Sequence, residues 1–550
     1  MKILYQKPEG VRDIYGSEYE QLEYLSGQVD SLFKSFGYRF IQTPSFEFIP
    51  VFDKDKGTAH TSDLFKLVDK EGHTLVLRPD FTPAVARAAA MYFQDVETPI
   101  RLCYKGSVFL NSTNFKGKLK ESMQMGVELI NDDTVAADAE LIRLACEIMK
   151  SCGILNFRVS IGNVAYFKAL AEEASLPAET VDELRSMLTQ KNQFGAQEII
   201  ESLEMPESLK KTFLALPMLL GGEEVLDKAN ELTDNAAAKE AVQRLKELYA
   251  LCRDAGCEKY IVFDFGMLSD YTYYTGIIFN ALTYGTGDAV IKGGRYDHFL
   301  EKFGKNGPAI GLTASMDAIL AVFQGQKEEA EETAGDGMRY LTIALPKGRL
   351  ADKTMKILEA AGITCEEFSD PDTRKLIFVN EEYRLKFFLA KGPDVPTFVE
   401  YGAADIGIVG KDTLLEEGRN VYEVLDLKFG KCRMCVCGPE TARASLNSGS
   451  LIKVATKYPV IARDYFHKKK NQTVELIKLN GSIELAPIVG LSDVIVDIVE
   501  TGKTLRDNGL SVLEEILSLS ARMIVNPVSM KMEDKRISML IAAVKQQISK

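Results

Sequence analysis

Residue types that build metal centres and disulfide frameworks are scarce in this chain. Its four histidines, at positions 60, 73, 298 and 467, are too few for a histidine-rich metal site. Its nine cysteines are an odd number without framework spacing, which predicts free thiols in a reducing cytoplasm. Cys432, Cys435 and Cys437 lie close together but lack a fourth ligand at a matching spacing, so we interpret them as ordinary residues of a short strand.

Long apolar runs and an excess of basic charge are also lacking. No run approaches the ~18 residues of a membrane span, and the first residues lack the apolar core of a secretory signal. The net charge is −13 and the pI about 5.2, which disfavours a broad nucleic-acid surface. We therefore expect a cytoplasmic protein with no membrane partner and no tRNA or other nucleic acid. Small anionic substrates are still compatible, because a pocket needs only a few local positive groups.

The clearest domain boundary is the acidic, glycine-containing stretch 325–337. It has almost no large apolar residue, so we expect it to bury too little surface to fold. We predict a first domain at 1–323, a linker at 324–338 and a second domain at 339–550.

The first domain mixes strand-like runs with helices. Residues 74–77 and 277–282 are typical of strands, whereas residues from about 170 to 256 are nearly all helical. Apolar residues recur at helical spacing over 174–188 and 238–251. We predict an α+β domain with a helical insertion at about 170–256.

The second domain alternates short β-rich runs with helical ones. The runs 341–345, 405–409 and 494–499 are each followed by a helical pattern. Such repetition predicts parallel sheets with helices on both faces, and ligands at the carboxyl ends of the strands.

The last of these runs leads into Glu500-Thr501-Gly502-Lys503-Thr504. A glycine permits a tight turn, and exposed amides at a helix start can hold a phosphate. A nucleotide-binding P-loop needs a glycine five residues before Gly502, where this chain has Asp497, so a kinase or ATPase of that type is excluded. A plain strand-to-helix turn remains the alternative for this loop on its own.

Positive charge gathers at a second strand end. Lys347 and Arg349 flank Gly348, where a pyrophosphate could approach the backbone, and Arg374 and Lys375 add further candidates. Solvated charges on a loop are the alternative here.

Several segments of the second domain occur in a recognisable order. They are Leu-Pro-Lys-Gly-Arg-Leu at 345–350, and the segments 394–400, 404–412, 455–459 and 481–487. Together with residues 500–504, which we call the phosphate loop, they resemble the short-form catalytic subunit of ATP phosphoribosyltransferase, without the C-terminal regulatory domain of the long form. The resemblance implies two α/β lobes similar to periplasmic binding proteins, lobe I at about 339–430 and 525–550 and lobe II at about 431–524. It also implies the first step of L-histidine biosynthesis, from ATP and phosphoribosyl pyrophosphate to N1-(5-phosphoribosyl)-ATP and pyrophosphate.

The residue types suit that reaction. Adenine N1 is already an unprotonated nucleophile, so the costly step is the charge on the departing pyrophosphate, which Mg²⁺ and basic groups stabilise. We expect the catalytic residues to be Lys347, Arg349, Arg374, Asp497 and Glu500. We expect Thr501, Gly502, Lys503, Thr504, Leu505 and Glu484 to bind phosphoribosyl pyrophosphate. The Mg²⁺ cofactor would be held through the substrate, with Asp497 and Glu500 as candidate protein ligands.

The first domain resembles the histidyl-tRNA synthetase family, through segments 8–13, 77–82, 124–128, 273–276 and 293–297. The resemblance implies a class II synthetase-like antiparallel sheet flanked by helices. The family's phosphate-gripping arginines are replaced, however: Leu110 follows Phe109, and Ser269 stands before the Tyr-Tyr pair. Losing one such donor typically costs about 10²–10³ in rate, so we do not expect aminoacylation.

The amino-acid pocket of that family is kept. The matching positions are Asp80, Thr82, Gln124, Glu128, Tyr273, Tyr274 and Tyr296. We therefore expect a regulatory histidine sensor, with L-histidine as an allosteric inhibitor of the fused enzyme, in a homo-oligomer. The alternatives are a decayed scaffold, a non-catalytic solute-binding protein, and a synthetase with an accessory domain.

Overall fold

The computed structural model describes residues 5–52, 61–111, 119–269, 273–332, 338–369, 375–446 and 451–548. The chain divides into two compact units. One is residues 1–337 with 531–534, and the other is residues 338–530 with 535–550. Within the described ranges, no helix combines the length and the apolar character that a membrane crossing requires.

The N-terminal elements alternate between strands and helices around a long helical stretch. The helices are α1 (Ser17–Ser35), α2 (Thr82–Tyr92), α3 (Val135–Ser151), α4 (Val164–Glu173), α5 (Ala178–Thr189), α6 (Gln193–Ser202), α7 (Glu207–Ala215), α8 (Glu224–Glu231), α9 (Ala236–Asp254) and α10 (Met316–Glu332). The strands are β1 (Arg39–Phe40), β2 (Phe46–Phe48), β3 (Lys66–Val68), β4 (Thr74–Leu77), β5 (Ile100–Phe109), β6 (Glu121–Ile130), β7 (Phe157–Asn163), β8 (Leu220–Gly221), β9 (Ile261–Asp264), β10 (Ile277–Thr283), β11 (Ile291–Arg295) and β12 (Ala309–Ser315).

A nine-stranded sheet organises the first unit, in the order β1-β5-β6-β12-β11-β10-β7-β9-β8. It is antiparallel except for the pairs β1–β5 and β7–β9. A separate antiparallel sheet has the order β2-β4-β3. The predicted α+β class with a mainly antiparallel sheet is confirmed.

Strand alternation gives the large sheet two different faces. On β6, Met125 and Val127 point into the main core, which includes residues of α1 and α3. The alternate residues, among them Glu128, point to the opposite face, where Tyr104 and Tyr296 belong to a second apolar cluster. This second face carries the candidate pocket.

The helical stretch follows the prediction with two corrections. Residues 174–188 do not form one helix, because α4 ends at Glu173 and α5 starts after Pro177, which cannot continue a helix from the preceding turn. The stretch also contains β8, a short strand that pairs with β9 at the edge of the large sheet.

The segment predicted as a linker contains helical structure over its first part. Helix α10 continues to Glu332, through residues 324–332 that we expected to be unfolded. Glu, Lys, Gln and Ala are strong helix formers, so a helix that begins in the preceding residues extends through them. Residues 333–337 lie outside the described part of the chain.

The C-terminal elements alternate more regularly. The strands are β13 (Leu341–Pro346), β14 (Ile377–Asn380), β15 (Leu385–Ala390), β16 (Ile406–Gly410), β17 (Tyr422–Asp426), β18 (Cys432–Gly438), β19 (Ile452–Thr456), β20 (Val474–Lys478), β21 (Val494–Val499), β22 (Ser511–Leu519) and β23 (Ala521–Val525). The helices are α11 (Arg349–Ala360), α12 (Val395–Glu400), α13 (Lys411–Glu417), α14 (Arg443–Leu446), α15 (Pro459–Asp464), α16 (Leu485–Ile488), α17 (Lys503–Asp507), α18 (Pro527–Met532) and α19 (Asp534–Ile548).

These strands form two sheets, which define two lobes. Lobe I has the order β14-β15-β13-β16-β23-β17 and lobe II the order β20-β19-β21-β18-β22. The two-lobed α/β fold is confirmed, but the sheets are mixed rather than parallel. Parallel pairs β13–β15, β13–β16, β19–β20 and β19–β21 sit beside antiparallel ones. No helix lies between β17 and β18 or between β22 and β23, and the predicted strand–helix alternation did not include these two direct connections.

The chain crosses between the lobes twice, after β17 and at Ser520. The second crossing comes earlier than the predicted return at 525, because β23 already pairs with β16 and β17 of lobe I. Near this crossing Arg522 pairs with Asp426 at 3.0 Å, and Ser520 donates to the same carboxylate at 2.7 Å. An apolar strand does not reveal from its own sequence which sheet it joins.

Candidate functional site

The side chains of the predicted amino-acid pocket gather, largely buried, on the second face of the large sheet in the first unit. The centre of this pocket is the carboxyl group of Glu128 on β6, and the side chain is 1% exposed. Thr82 at the start of α2 donates to it at 2.8 Å, and Tyr104 on β5 donates at 3.3 Å. Tyr296, just after β11, donates to the other oxygen. Three hydroxyls therefore converge on one buried carboxyl group.

Glycines on neighbouring strands make room for these side chains. Tyr104, Gly126 and Thr313 lie side by side on three paired strands, and so do Glu128 and Gly311 on two of them. A Cβ at Gly311 would lie 1.8 Å from the Glu128 Oε2, and one at Gly126 would lie 2.4 Å from the Tyr104 Oη. The pocket thus depends on the absence of side chains at these two positions.

Burial controls the charge of the pocket. Desolvation raises the pKa of Glu128 to about 8, against the opposing effect of its hydroxyl donors, and the nearby Asp80 raises it further. Asp80 accepts a hydrogen bond from the Thr82 amide at 3.2 Å. A buried set of two acids, one of them holding a proton near neutral pH, suits a ligand that brings N–H donors.

The other predicted pocket residues surround this centre. Gln124 lies on the same strand face as Glu128, and among the described atoms its buried Oε1 accepts no hydrogen bond. The ring of Tyr273 lies 4.6 Å from that of Tyr274 and 6.0 Å from that of Tyr296, centroid to centroid. The fold therefore gathers all seven predicted side chains on one side of the sheet.

Three polar residues in and beside this pocket, Tyr104, Thr313 and Arg78, were not predicted. Tyr104 stacks on Phe81 at 4.3 Å and shares a 2.8 Å hydrogen bond with Thr313. The guanidinium of Arg78 lies 3.9 Å from the centroid of the Phe81 ring. The period-2 pattern of β5, with Tyr104 facing Gly126 on the next strand, is the signal that could have identified Tyr104.

A second, open site lies at the carboxyl edges of the lobes in the second unit. Lys347 follows β13, and its amide donates to the Ala390 carbonyl at 2.9 Å. Gly348 has φ +96°, so the turn into α11 needs a glycine. Arg349 begins α11, is 85% exposed, and lies 3.8 Å from the Glu500 carboxylate of lobe II. Arg349 of lobe I thus faces the phosphate loop of lobe II.

The phosphate loop itself turns at Gly502, which has φ +70°. The Lys503 amide donates to the Thr501 hydroxyl at 3.4 Å. Leu505 is buried in the lobe II core, whereas Thr501, Lys503 and Thr504 are exposed. The buried Leu505 side chain therefore fixes one end of the loop to the core, while the polar side chains of the loop face solvent.

Acidic groups lie beside this loop. Burial raises the pKa of Asp497 on β21, and the nearby Glu484 carboxylate raises it further. Lys457, at the carboxyl end of the adjacent parallel strand β19, opposes that shift, so it lies close to Asp497. Lys457 was not predicted; its place after a strand of the same sheet edge was the available signal.

Two further predictions have different outcomes. Arg374 lies outside the described residues. Cys432, Cys435 and Cys437 lie on the short strand β18, as predicted. Over the described ranges, three potential metal ligands come together at Asp69, Glu71 and His73, on a surface turn of the first unit, and no such group occurs in the described residues of the second unit. A divalent cation in the second unit would therefore need oxygens from a substrate as well as protein carboxylates.

Known proteins match each unit separately. A family model described as histidyl-tRNA synthetase matches residues 10–319, and one described as ATP phosphoribosyltransferase matches residues 391–546. The ATP phosphoribosyltransferase of Lachnoclostridium phytofermentans is 68% identical over 212 residues, which are 38% of this chain and 99% of that protein. The ATP phosphoribosyltransferase regulatory subunit of Acetivibrio thermocellus is 36% identical over 329 residues, 60% of this chain and 79% of that protein.

A solved structure agrees with the match of the first unit. An ATP phosphoribosyltransferase regulatory subunit/histidyl-tRNA synthetase from Bacillus halodurans is 31% identical with a TM-score of 0.55, covering 65% of this chain and 89% of that one.

Fold and site together define a class II synthetase-like unit joined to a two-lobed α/β transferase. The chain belongs to the histidyl-tRNA synthetase family in its first part and to the ATP phosphoribosyltransferase family in its second, and is thus a histidine-biosynthesis enzyme fused to its regulatory domain.

Proposed function

We propose that L-histidine binds the buried pocket of the first unit and inhibits the phosphoribosyl transfer catalysed by the second. The observation that carries this proposal is the Glu128 carboxyl group, buried among three hydroxyls and next to Asp80. Such a set matches a small molecule with an ammonium group and an imidazole.

The chemistry of recognition follows from the inventory of donors and acceptors. The histidine ammonium has three N–H donors for Asp80 and the buried Oε1 of Gln124. The imidazole can pair with Glu128, while the rings of Tyr273 and Tyr274 enclose it. A site that satisfies each polar hydrogen of its ligand rejects analogues that lack one, because buried groups are then left unpaired.

In the second unit, basic groups of lobe I and the phosphate loop of lobe II bind different parts of the substrates. Lys347, Arg349 and Arg374 act on the phosphate charge, and residues 501–505 hold the sugar 5′-phosphate. Asp497 and Glu484 face the ribose hydroxyls. Because adenine N1 needs no strong base, these residues work by holding the two substrates in line and by stabilising the leaving group.

Mg²⁺ is the cofactor that fits this set. Mg²⁺ prefers oxygen ligands and is usually bound by one or two carboxylates together with substrate phosphates. Asp497 and Glu500 are the carboxylates that could hold it. When bound with the substrate, Mg²⁺ would supply positive charge to the departing pyrophosphate.

Regulation then takes the form of a coupling free energy between two sites in one chain. If bound histidine weakens substrate binding, bound substrate must weaken histidine binding by the same factor. Because one polypeptide carries both functions, every assembly contains them in equal number, and we propose a cytoplasmic homo-oligomer.

The experiment measures phosphoribosyl-ATP formation in the full chain at graded histidine concentrations. We expect Glu128→Ala to weaken histidine inhibition by about 10²-fold or more, with basal turnover within about twofold of the parent. Gly311→Ala should act alike, since its Cβ would occupy the place of the Glu128 oxygen. Glu121→Ala, an exposed acid on the same strand, is the matched control.

Unchanged inhibition in both pocket variants would refute the pocket assignment. Formation of histidyl-adenylate from histidine and ATP would instead favour the synthetase alternative. That outcome would be unexpected with Leu110 and Ser269 in place of arginines.

A further inference from the structure

The two lobes of the second unit meet through a pair of short helices. Helix α13 of lobe I follows β16, and helix α15 of lobe II follows β19. Strand β16 is parallel to β13, which leads to Lys347, and β19 is parallel to β21, which leads to the phosphate loop. Both helices therefore begin at the substrate-facing edges of their sheets.

Glu416 on α13 supplies hydrogen-bond acceptors for the first backbone amides of α15. Its carboxylate accepts the Val460 amide with both oxygens at 3.1 Å and the Ile461 amide at 3.1 Å. Amides of a first helical turn have no partner within their own helix. The residue at the N-cap position, Tyr458, provides no side-chain cap. The cap of a lobe II helix is thus a carboxylate of lobe I.

A second contact lies one turn earlier on α13. Asp412 accepts a hydrogen bond from the Tyr458 hydroxyl at 3.3 Å. Residues four apart on a helix share a face, so Asp412 and Glu416 act on α15 together. Burial raises the pKa of Glu416, and the amide donors oppose that shift, as expected for a carboxylate enclosed between two elements.

The capped turn is connected to the substrate site of lobe II by short hydrogen bonds. The Tyr458 amide donates to the Thr456 hydroxyl at 2.9 Å, and that hydroxyl donates to the Val496 carbonyl at 2.7 Å. Val496 directly precedes Asp497, and Lys457 lies beside both Asp497 and the capped turn. A shift of α15 would therefore move groups that border the ribose site.

We propose that Glu416 is a positioning residue for phosphoribosyl transfer, which sets the distance between the two lobes by capping α15 across the cleft. It touches no substrate. It acts through α15 on Lys457 and Asp497, so that groups from both lobes meet the two substrates in register. A misplacement of about 1 Å between reacting groups can cost about 10²-fold in rate.

The test compares Glu416→Ala, Glu416→Gln and the control Glu417→Ala in the full chain without histidine. Hydrogen exchange of peptides that include Val460 and Ile461 reports the cap, and steady-state kinetics report its effect. We expect Glu416→Ala to expose these amides and to lower kcat/KM by about 10- to 100-fold, with kcat itself reduced. Glu416→Gln keeps one acceptor oxygen and should recover part of the rate, while Glu417→Ala should behave as the parent.

Two outcomes would overturn the proposal. One is faster exchange of both amides with kcat and KM of the parent enzyme, which would make the cap purely structural. The other is unchanged exchange in Glu416→Ala. If that variant does not fold, the same criteria apply to Glu416→Gln. Because the exchange readout needs neither substrate nor histidine, it is independent of the substrate and effector roles proposed above.

Discussion

The pocket of the first unit and the cleft of the second differ most in their access to water. Glu128 is 1% exposed, whereas Arg349 is 85% exposed. Glu128, Tyr104 and Thr313 lie on neighbouring strands of one sheet, which fixes their relative positions. The cleft is divided between two sheets, so its groups come from lobes joined by two crossings and one cap. The first arrangement suits selection of one small molecule, the second the alignment of two large anions.

The two sites also differ in charge. Around Glu128 the acids Asp80 and Glu128 are accompanied by hydroxyls, and burial keeps a proton on the carboxyl near neutral pH. Around the phosphate loop, Lys347, Arg349 and Lys457 accompany the acids. Because exposed charges are well solvated and buried ones are not, the open site can hold mixed charge at little cost, and the buried one must stay nearly neutral.

The largest expected effect comes from a backbone change in the phosphate loop, which should impair phosphoribosyl transfer and leave the histidine pocket intact. Gly502→Val should lower phosphoribosyl transfer by about 10³-fold, because a branched side chain at φ +70° strains the turn and crowds the anion. Gly509→Val is the control, since Gly509 has φ +69° at the end of the same helix and open space around its Cβ position. Isothermal titration with phosphoribosyl pyrophosphate and with histidine checks this. Normal binding of phosphoribosyl pyrophosphate by Gly502→Val would contradict the role of the loop, and histidine binding should persist.

A smaller effect tests whether the open site uses its exposed charge for chemistry rather than stability. Arg349→Ala should lower kcat by about 10²-fold, yet change the free energy of unfolding by less than about 1 kcal/mol, because its ion pair with Glu500 is exposed. Lys356→Ala, exposed on the same helix, should change neither. Kinetics and denaturant titration distinguish the two quantities. Equal activity of both variants would remove Arg349 from the catalytic set.

The smallest effect concerns the proton in the buried pocket. The complex should hold one proton on the pair formed by Glu128 and the imidazole. Above pH 8 the empty pocket has lost that proton and must take it up on binding; below about pH 6.5 free histidine carries a second proton that must leave. Histidine affinity should therefore be highest between these values and fall by about tenfold per pH unit on either side.

Calorimetry from pH 5.5 to 9 measures this profile. In Glu128→Gln the fall above pH 8 should disappear, because the amide does not titrate. An affinity of the parent protein that still rises at pH 9 would show that Glu128 is not the proton-sharing group.

Local patterns predicted much of this molecule. The strand and helix at residues 406–410 and 411–417, the turn at Gly502 and the short cysteine-bearing strand each depend on residues close together in the chain. The structure differed from the predictions where the same local pattern is compatible with more than one structure. The acidic segment after residue 324 continued a helix because its residues favour one, and β23 joined lobe I although its sequence continues the apolar character of β22.

The sequence by itself determined the two families, the order of their elements and most of the residue types that handle histidine and phosphate, since these are properties of short segments read in order. Only the tertiary structure decided that Tyr104 and Thr313 complete the Glu128 pocket and that Glu416 caps a helix of the opposite lobe. Such contacts join residues far apart in the chain, and their geometry follows from strand register and lobe packing, which no short segment specifies.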